Sequence, residues 1–209
     1  MVGKILTFNS NNNKLEGVLY EPKGDKKVIS IVLHPHPEFG GSMHNNVVNG
    51  VCEVMQEFGG AFKFNCSGVG GSTGRFEGFS KAYEDVKNAV LFLREELNYI
   101  NIGFIGYSWG SYAGLKALIE DNSMKFLCGI SPVISMWNYN FLTKNTSKQP
   151  KCFVIGENDT FCNNNKFIKI YEKIPIENKA YKILSTNHFY AGYEKLAANF
   201  ILKFIQNQI

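Results

Sequence analysis

A mostly parallel α/β sheet with helices on both faces is the architecture that this 209-residue sequence predicts. Three observations carry that expectation. Short apolar runs alternate with helical patterns, the runs lack the polar-out alternation of a half-solvated sheet, and a glycine-flanked serine stands where one run gives way to a small-residue helix.

The chain opens differently. Lys4 to Phe8 and Lys14 to Tyr20 flank the Asn-rich stretch from Asn9 to Asn13, a pattern that predicts an N-terminal antiparallel hairpin. Beyond it, Val28 to Leu33, Ala61 to Asn65, Asn101 to Gly106, Phe126 to Ile130, Cys152 to Gly156 and Ala180 to Leu184 read as short buried strands. Trp109 to Glu120 reads as a helix with a close-packing face of Ala113, Gly114, Ala117 and Leu118.

Phe79, Tyr83, Val86, Val90, Leu93 and Leu97 recur at helical spacing, and so do Tyr193, Leu196, Ala197, Phe200 and Phe204. Both stripes are expected to pack on the core. Only about twenty residues join Ile130 to Cys152, with Pro132 and Pro150 near the ends, which leaves no room for a large lid domain. No repeat or linker interrupts the chain, so residues 1–209 read as one domain.

Composition narrows the function classes. The net charge of +4 is spread along the chain, with Arg75 and Arg94 the only arginines, and no basic stripe marks a nucleic-acid surface. Cys52, Cys66, Cys128, Cys152 and Cys162 are odd in number and contain no C-x-x-C pair, so they read as reduced core residues. Met1 to Tyr20 holds no apolar segment of signal-peptide length, and no stretch approaches a membrane span. A cytoplasmic enzyme or binding protein is expected.

The pentapeptide Gly106-Tyr107-Ser108-Trp109-Gly110 carries the chemistry. A bare G-x-S-x-G arises by composition in about one such chain in ten, so its flanks decide. Ile102 to Ile105 before it and the small-residue helix after it are what a nucleophile elbow requires: a sharp turn that lifts a serine hydroxyl above the sheet edge.

A serine hydroxyl needs a base, and the base needs a carboxylate to orient it. In a fold of this kind the order is serine, acid, histidine. Of His34, His36, His44 and His188, only His188 follows Ser108. No Asp or Glu lies between Asp121 and Glu157, so the acid falls to Glu157 or Asp159, both just past the strand ending at Gly156. Asp159 sits farther along the loop and suits a side chain reaching for the histidine, while Glu157 suits a structural role.

Amide donors for an oxyanion are expected from Trp109 and from the loop His34-Pro35-His36-Pro37-Glu38-Phe39-Gly40-Gly41. Pro35 and Pro37 have no amide hydrogen, which points to the backbone N–H of His36, with Glu38 as fallback. The prolines restrict the loop and His44 is the only further ligand nearby, so no metal site is expected, and no cofactor.

These motifs resemble those of the small lid-free α/β hydrolases of bacteria. The family's PHPxFGGxMxN segment reads here from Pro35 to Asn45, and its NFRGVGxSxG segment reads from Asn65 to Gly74, with Ser67 in place of the arginine. The likeness extends through the elbow, Asp159 and Asn187-His188-Phe189, nearly the whole chain. It implies an α/β-hydrolase fold and a serine hydrolase with a Ser108-His188-Asp159 triad, cleaving small-molecule carboxylic esters.

An acyl thioesterase or small peptidase would share that triad, and a non-catalytic receptor could keep the scaffold. Phe39, Trp137, Phe161 and Phe189, with Trp109 and Tyr139, are candidates to line an apolar acyl pocket, with a place in the core the equal alternative for half of the six. No nucleic-acid partner is expected, and a lid-free cleft could be covered by a second copy in a homo-oligomer.

Overall fold

The computed structural model describes residues 2–23, 28–144 and 147–209. Strands β1 (Lys4–Ser10) and β2 (Asn13–Tyr20) form the hairpin, and the strands run deeper into the asparagine stretch than their apolar residues indicate. Asn11 makes this compact turn by taking a left-handed φ of 52°, a conformation asparagine tolerates better than most residues.

The remaining strands are β3 (Val28–Leu33), β4 (Gly60–Phe64), β5 (Asn101–Tyr107), β6 (Leu127–Ile130), β7 (Lys151–Gly156) and β8 (Lys179–Leu184). The eight-stranded sheet has the order β1-β2-β4-β3-β5-β6-β7-β8, antiparallel through β1, β2 and β4 and parallel from β4 to β8. Every residue of β3 to β7 except Asn101 is buried, as helices on both faces demand.

The helices are α1 (Asn46–Gln56), α2 (Gly78–Leu91), α3 (Trp109–Leu118), the short α4 (Phe141–Lys144), α5 (Asn164–Glu172) and α6 (Glu194–Gln206). One core, with Val86, Ala113, Leu142 and Phe167, packs α2 to α5 against one face of the sheet. A second core, with Val47, Val51, Ala197 and Ile201, packs α1 and α6 against the other. The segment from Ser131 to Pro150 contributes only α4 among its described residues.

Two helices depart from the sequence expectation. The last turn of α2 widens into a π-helical stretch at Phe92–Glu96, closed by the Leu97 amide on the Phe92 carbonyl at 3.3 Å. In α6 the buried positions are Ala197, Ala198, Ile201 and Ile205, while Leu196 is 52% exposed. The small face wins because α1 comes so close that a Cβ on Gly50 would lie 2.7 Å from Cβ of Glu194. The aromatic stripe packs only partly, at the edges of the contact.

Parallel strands put all their carboxyl ends on one edge, and there the loops after β3, β4, β5, β6, β7 and β8 begin. His34 ties two of them together. It is fully buried, its Nδ1–H donates to the Pro35 carbonyl at 2.7 Å, and its Nε2 accepts from the Cys66 amide at 3.2 Å. Burial is the main cause that lowers its pKa to about 4, so the ring is neutral and structural.

Candidate active site

Ser108 occupies the tight turn between β5 and α3 with φ 55° and ψ −122°, a region that disfavours any side chain. Its flanking glycines are dictated by contact. A Cβ on Gly106 would sit 2.5 Å from the Gly110 carbonyl oxygen, and one on Gly110 would sit 2.4 Å from that of His34. The turn is pinned by the Ser108 amide on the Ile130 carbonyl at 2.9 Å and by the Ser111 hydroxyl on the Ser108 carbonyl at 2.7 Å.

The hydroxyl of Ser108 lies 2.8 Å from Nε2 of His188, in the loop after β8. Nδ1 of His188 lies 2.9 and 3.0 Å from the two carboxylate oxygens of Asp159, in the loop after β7. An ionised carboxylate only accepts hydrogen bonds, so the imidazole carries its proton on Nδ1 and offers Nε2 as acceptor to the serine O–H. Tyr107 holds the loop by donating to the His188 carbonyl at 2.7 Å, and the Phe161 ring packs 4.7 Å from the imidazole.

Asp159 is buried, which by itself raises its pKa. The hydrogen bonds from His188, the Ser131 hydroxyl at 2.5 Å and the Phe161 amide at 2.8 Å outweigh that and hold the carboxyl below its ordinary range. Sequence reasoning did not single out Ser131 or Tyr190. Ser131 directly follows β6, takes φ 46°, and sits 3.1 Å from the Tyr190 hydroxyl, which in turn donates to the Val154 carbonyl at 3.2 Å. The one available signal was a small hydroxyl residue at the same sheet edge.

Trp109 and His36 line one cleft with Ser108 and His188, and neither of their backbone amides has a hydrogen-bond partner among the described residues. The fallback donor is spent: the Glu38 amide bonds Nδ1 of His36 at 3.2 Å. Glu157 stands apart and accepts from the Ser185 hydroxyl at 2.8 Å.

The cleft encloses about 310 Å³. Phe39, Trp137, Phe161 and Phe189 all line it, and Phe39 and Phe189 project from its rim at 83% and 63% exposure. Tyr139 is not a wall residue. It is wholly buried beneath α3, 3.0 Å from the Ser111 hydroxyl, and accepts the Val133 amide at 3.2 Å, so its phenol buttresses the turn.

Ser67 meets a buried carboxylate instead of forming any ion pair of its own. Its amide and hydroxyl reach Asp85 at 2.8 and 3.0 Å, and the Ser10 hydroxyl reaches it at 2.6 Å. His44 is exposed, and among the described residues no three His, Cys, Asp or Glu side chains converge as metal ligands.

Sheet order, the strained turn between β5 and α3, and the edge loops together define the α/β-hydrolase fold in its lid-free form. No family model matches the chain. It is 26% identical over 156 residues to an uncharacterized protein of Rickettsia prowazekii, a match spanning 73% of this chain and 66% of that protein, just short of two thirds of its length.

Solved structures agree with the fold over nearly the full chain. An alpha-beta serine hydrolase homologue from Coxiella burnetii superposes with a TM-score of 0.87 at 24% identity, covering 100% of this chain and 99% of that one. A serine hydrolase without lid from Xanthomonas campestris gives 0.87 at 22% identity, with 98% and 94% covered. An esterase from Pyrococcus furiosus gives 0.81 at 19% identity, with 99% and 93% covered. Among the described residues, no helix is long and apolar enough to cross a membrane.

Proposed function

We propose that this chain is a serine hydrolase that cleaves small-molecule carboxylic esters through an acyl-enzyme. The observation that carries the reading is the unbroken hydrogen-bonded series from Ser108 through His188 to Asp159 beside an apolar cleft. Five buried, unpaired cysteines fit a reducing compartment, and we extend the proposal to the cytoplasm.

Ser108 Oγ attacks the ester carbonyl carbon while His188 Nε2 takes its proton. The carbonyl oxygen becomes an oxyanion, held by the amides of Trp109 and His36. Asp159 keeps the Nδ1–H tautomer and stabilises the imidazolium that forms. The tetrahedral adduct then collapses, the alcohol leaves with the proton from Nε2, and the acyl group stays on Ser108. Water, deprotonated by His188, repeats the attack and releases the acid.

A fluorophosphonate probe should label the wild-type protein at Ser108, and Ser108→Ala should abolish labelling with no change in melting temperature that signals unfolding. Hydrolysis of a short-chain 4-nitrophenyl ester should vanish with it. Labelling that persists in the folded Ser108→Ala protein would refute the assignment.

A further inference from the structure

The proposed mechanism uses only the backbone of His36, yet its side chain is set up as carefully as the catalytic groups. The imidazole is half-buried in the cleft wall. Four rings surround it, Phe39 at 5.0 Å, Phe76 at 5.3 Å, Trp109 at 5.6 Å and Trp137 at 6.3 Å, the last nearly parallel. An amide N–H can only donate, so the Glu38 amide on Nδ1 makes that nitrogen the acceptor and puts the proton of the neutral ring on Nε2. Burial favours the neutral form, opposed by nearby Glu38.

Nε2–H has no hydrogen-bond partner among the described residues. Where a ligand in the cleft covers this donor, one without an acceptor leaves it desolvated and unpaired, and that difference discriminates between ligands. Among the described residues no Lys, Arg, Asp or Glu lines the cleft, which favours an uncharged ligand, and its aromatic lining, with Phe39 and Trp137, suits a flat one.

We propose that His36 is a specificity residue: its Nε2–H donates to an ether, hydroxyl or carbonyl oxygen carried on a flat, uncharged aryl group of the ester. The assignment rests on the ester-binding reading of the cleft, and it adds a preference for oxygen-substituted aryl esters over plain aryl or alkyl ones.

The test is equilibrium binding to the Ser108→Ala protein, which retains intact esters. Calorimetric titration would compare 4-nitrophenyl 3-phenylpropanoate with its ring 4-methoxy analogue, and phenyl propanoate with 4-methoxyphenyl propanoate. The methoxy member should bind about fivefold more tightly in one series or both, the size of one neutral hydrogen bond. That ratio should fall to about one when His36→Asn or His36→Phe is added. Asparagine keeps an acceptor for the Glu38 amide and phenylalanine keeps the ring stack, so a loss common to both reports the missing Nε2–H.

Equal affinities in both series, no binding of either, or a ratio that survives both substitutions would overturn the proposal. Covalent labelling of the wild type reads the hydrolase assignment separately. Labelling without a ratio removes only the role of His36, and a ratio without labelling keeps that role while removing hydrolysis.

Discussion

The hydroxyl of Ser131 lies 2.5 Å from Oδ2 of Asp159, so the carboxylate that faces His188 is gripped from behind by a residue of the neighbouring strand end. Ser131 takes a left-handed φ of 46° and is fully buried, and the Tyr190 hydroxyl stands 3.1 Å away on its other side. The acid is therefore oriented by two loops, after β6 and after β7, and not by its own loop alone.

Replacing Ser131 with alanine should lower kcat for a short acyl ester by roughly tenfold, since a hydroxyl bonded to a charged carboxylate is worth about 1.5–3 kcal/mol and only part of that reaches the transition state. Fluorophosphonate labelling should slow without being lost. Stopped assays of kcat and KM on the folded variant check this, and an unchanged kcat would show that the Asp159 loop holds the carboxylate unaided.

Asp159→Asn should be far more severe. The amide can present its NH₂ to Nδ1 and so favours the tautomer with the proton on Nε2, which cannot accept from Ser108. A loss of kcat of about 10³–10⁴-fold is expected, on the scale of the same change in serine proteases. The measurement is kcat at fixed pH with circular dichroism to confirm the fold.

Gly106→Ala should damage folding before it damages chemistry. The added carbon would lie 2.5 Å from the Gly110 carbonyl oxygen and 2.6 Å from Cα of Ser111, both backbone atoms that cannot swing away. A loss of about 3 kcal/mol or more in urea denaturation is expected, at the upper end of overpacking costs.

His34 makes stability depend on pH. Its folded pKa is depressed to about 4 from an unfolded 6.5, so the unfolded chain binds the proton first as the pH falls. The contribution is complete above pH 6.5 and is lost progressively between 6.5 and about 4. The span corresponds to roughly 3 kcal/mol. Asp159, depressed as a carboxylate, loses its contribution only lower, as the pH falls below the ordinary carboxylate range. Urea midpoints across pH 4–7 should show the His34 slope, and His34→Gln should flatten it.

Much of this fold was legible because alternating apolar runs and helical stripes are local signals. The alternation placed the parallel strands within a residue or so of their observed ends. The exposure of Leu196 on α6 has a non-local cause: small Ala197 and Ala198 are chosen over it by how closely α1 approaches, which spacing in one helix does not encode. Lys151 is similar. It opens β7 with its ammonium buried on the Gln149 carbonyl at 3.0 Å, and burial lowers its pKa to about 8, although a lysine reads in sequence as a solvated strand end.

At the site, elimination by chain order led to Ser108, His188 and Asp159 because each follows a recognisable strand. Ser131 and Tyr190 escaped it because their contacts span 28 and 59 residues and involve side chains with no chemistry of their own to announce. Tyr139, open between pocket and core in the sequence, belongs to the core, because an aromatic residue in an edge loop does not disclose which way it faces.

Ser108 holds its backbone where side chains are disfavoured. At φ 55° and ψ −122° glycine would be at ease where serine is not, a difference on the order of 1–3 kcal/mol. On the proposed chemistry, selection for heat resistance alone would therefore push residue 108 away from the nucleophile. A laboratory lineage evolved for thermal endurance without an activity screen should drift toward an inert, hardier descendant at this codon first.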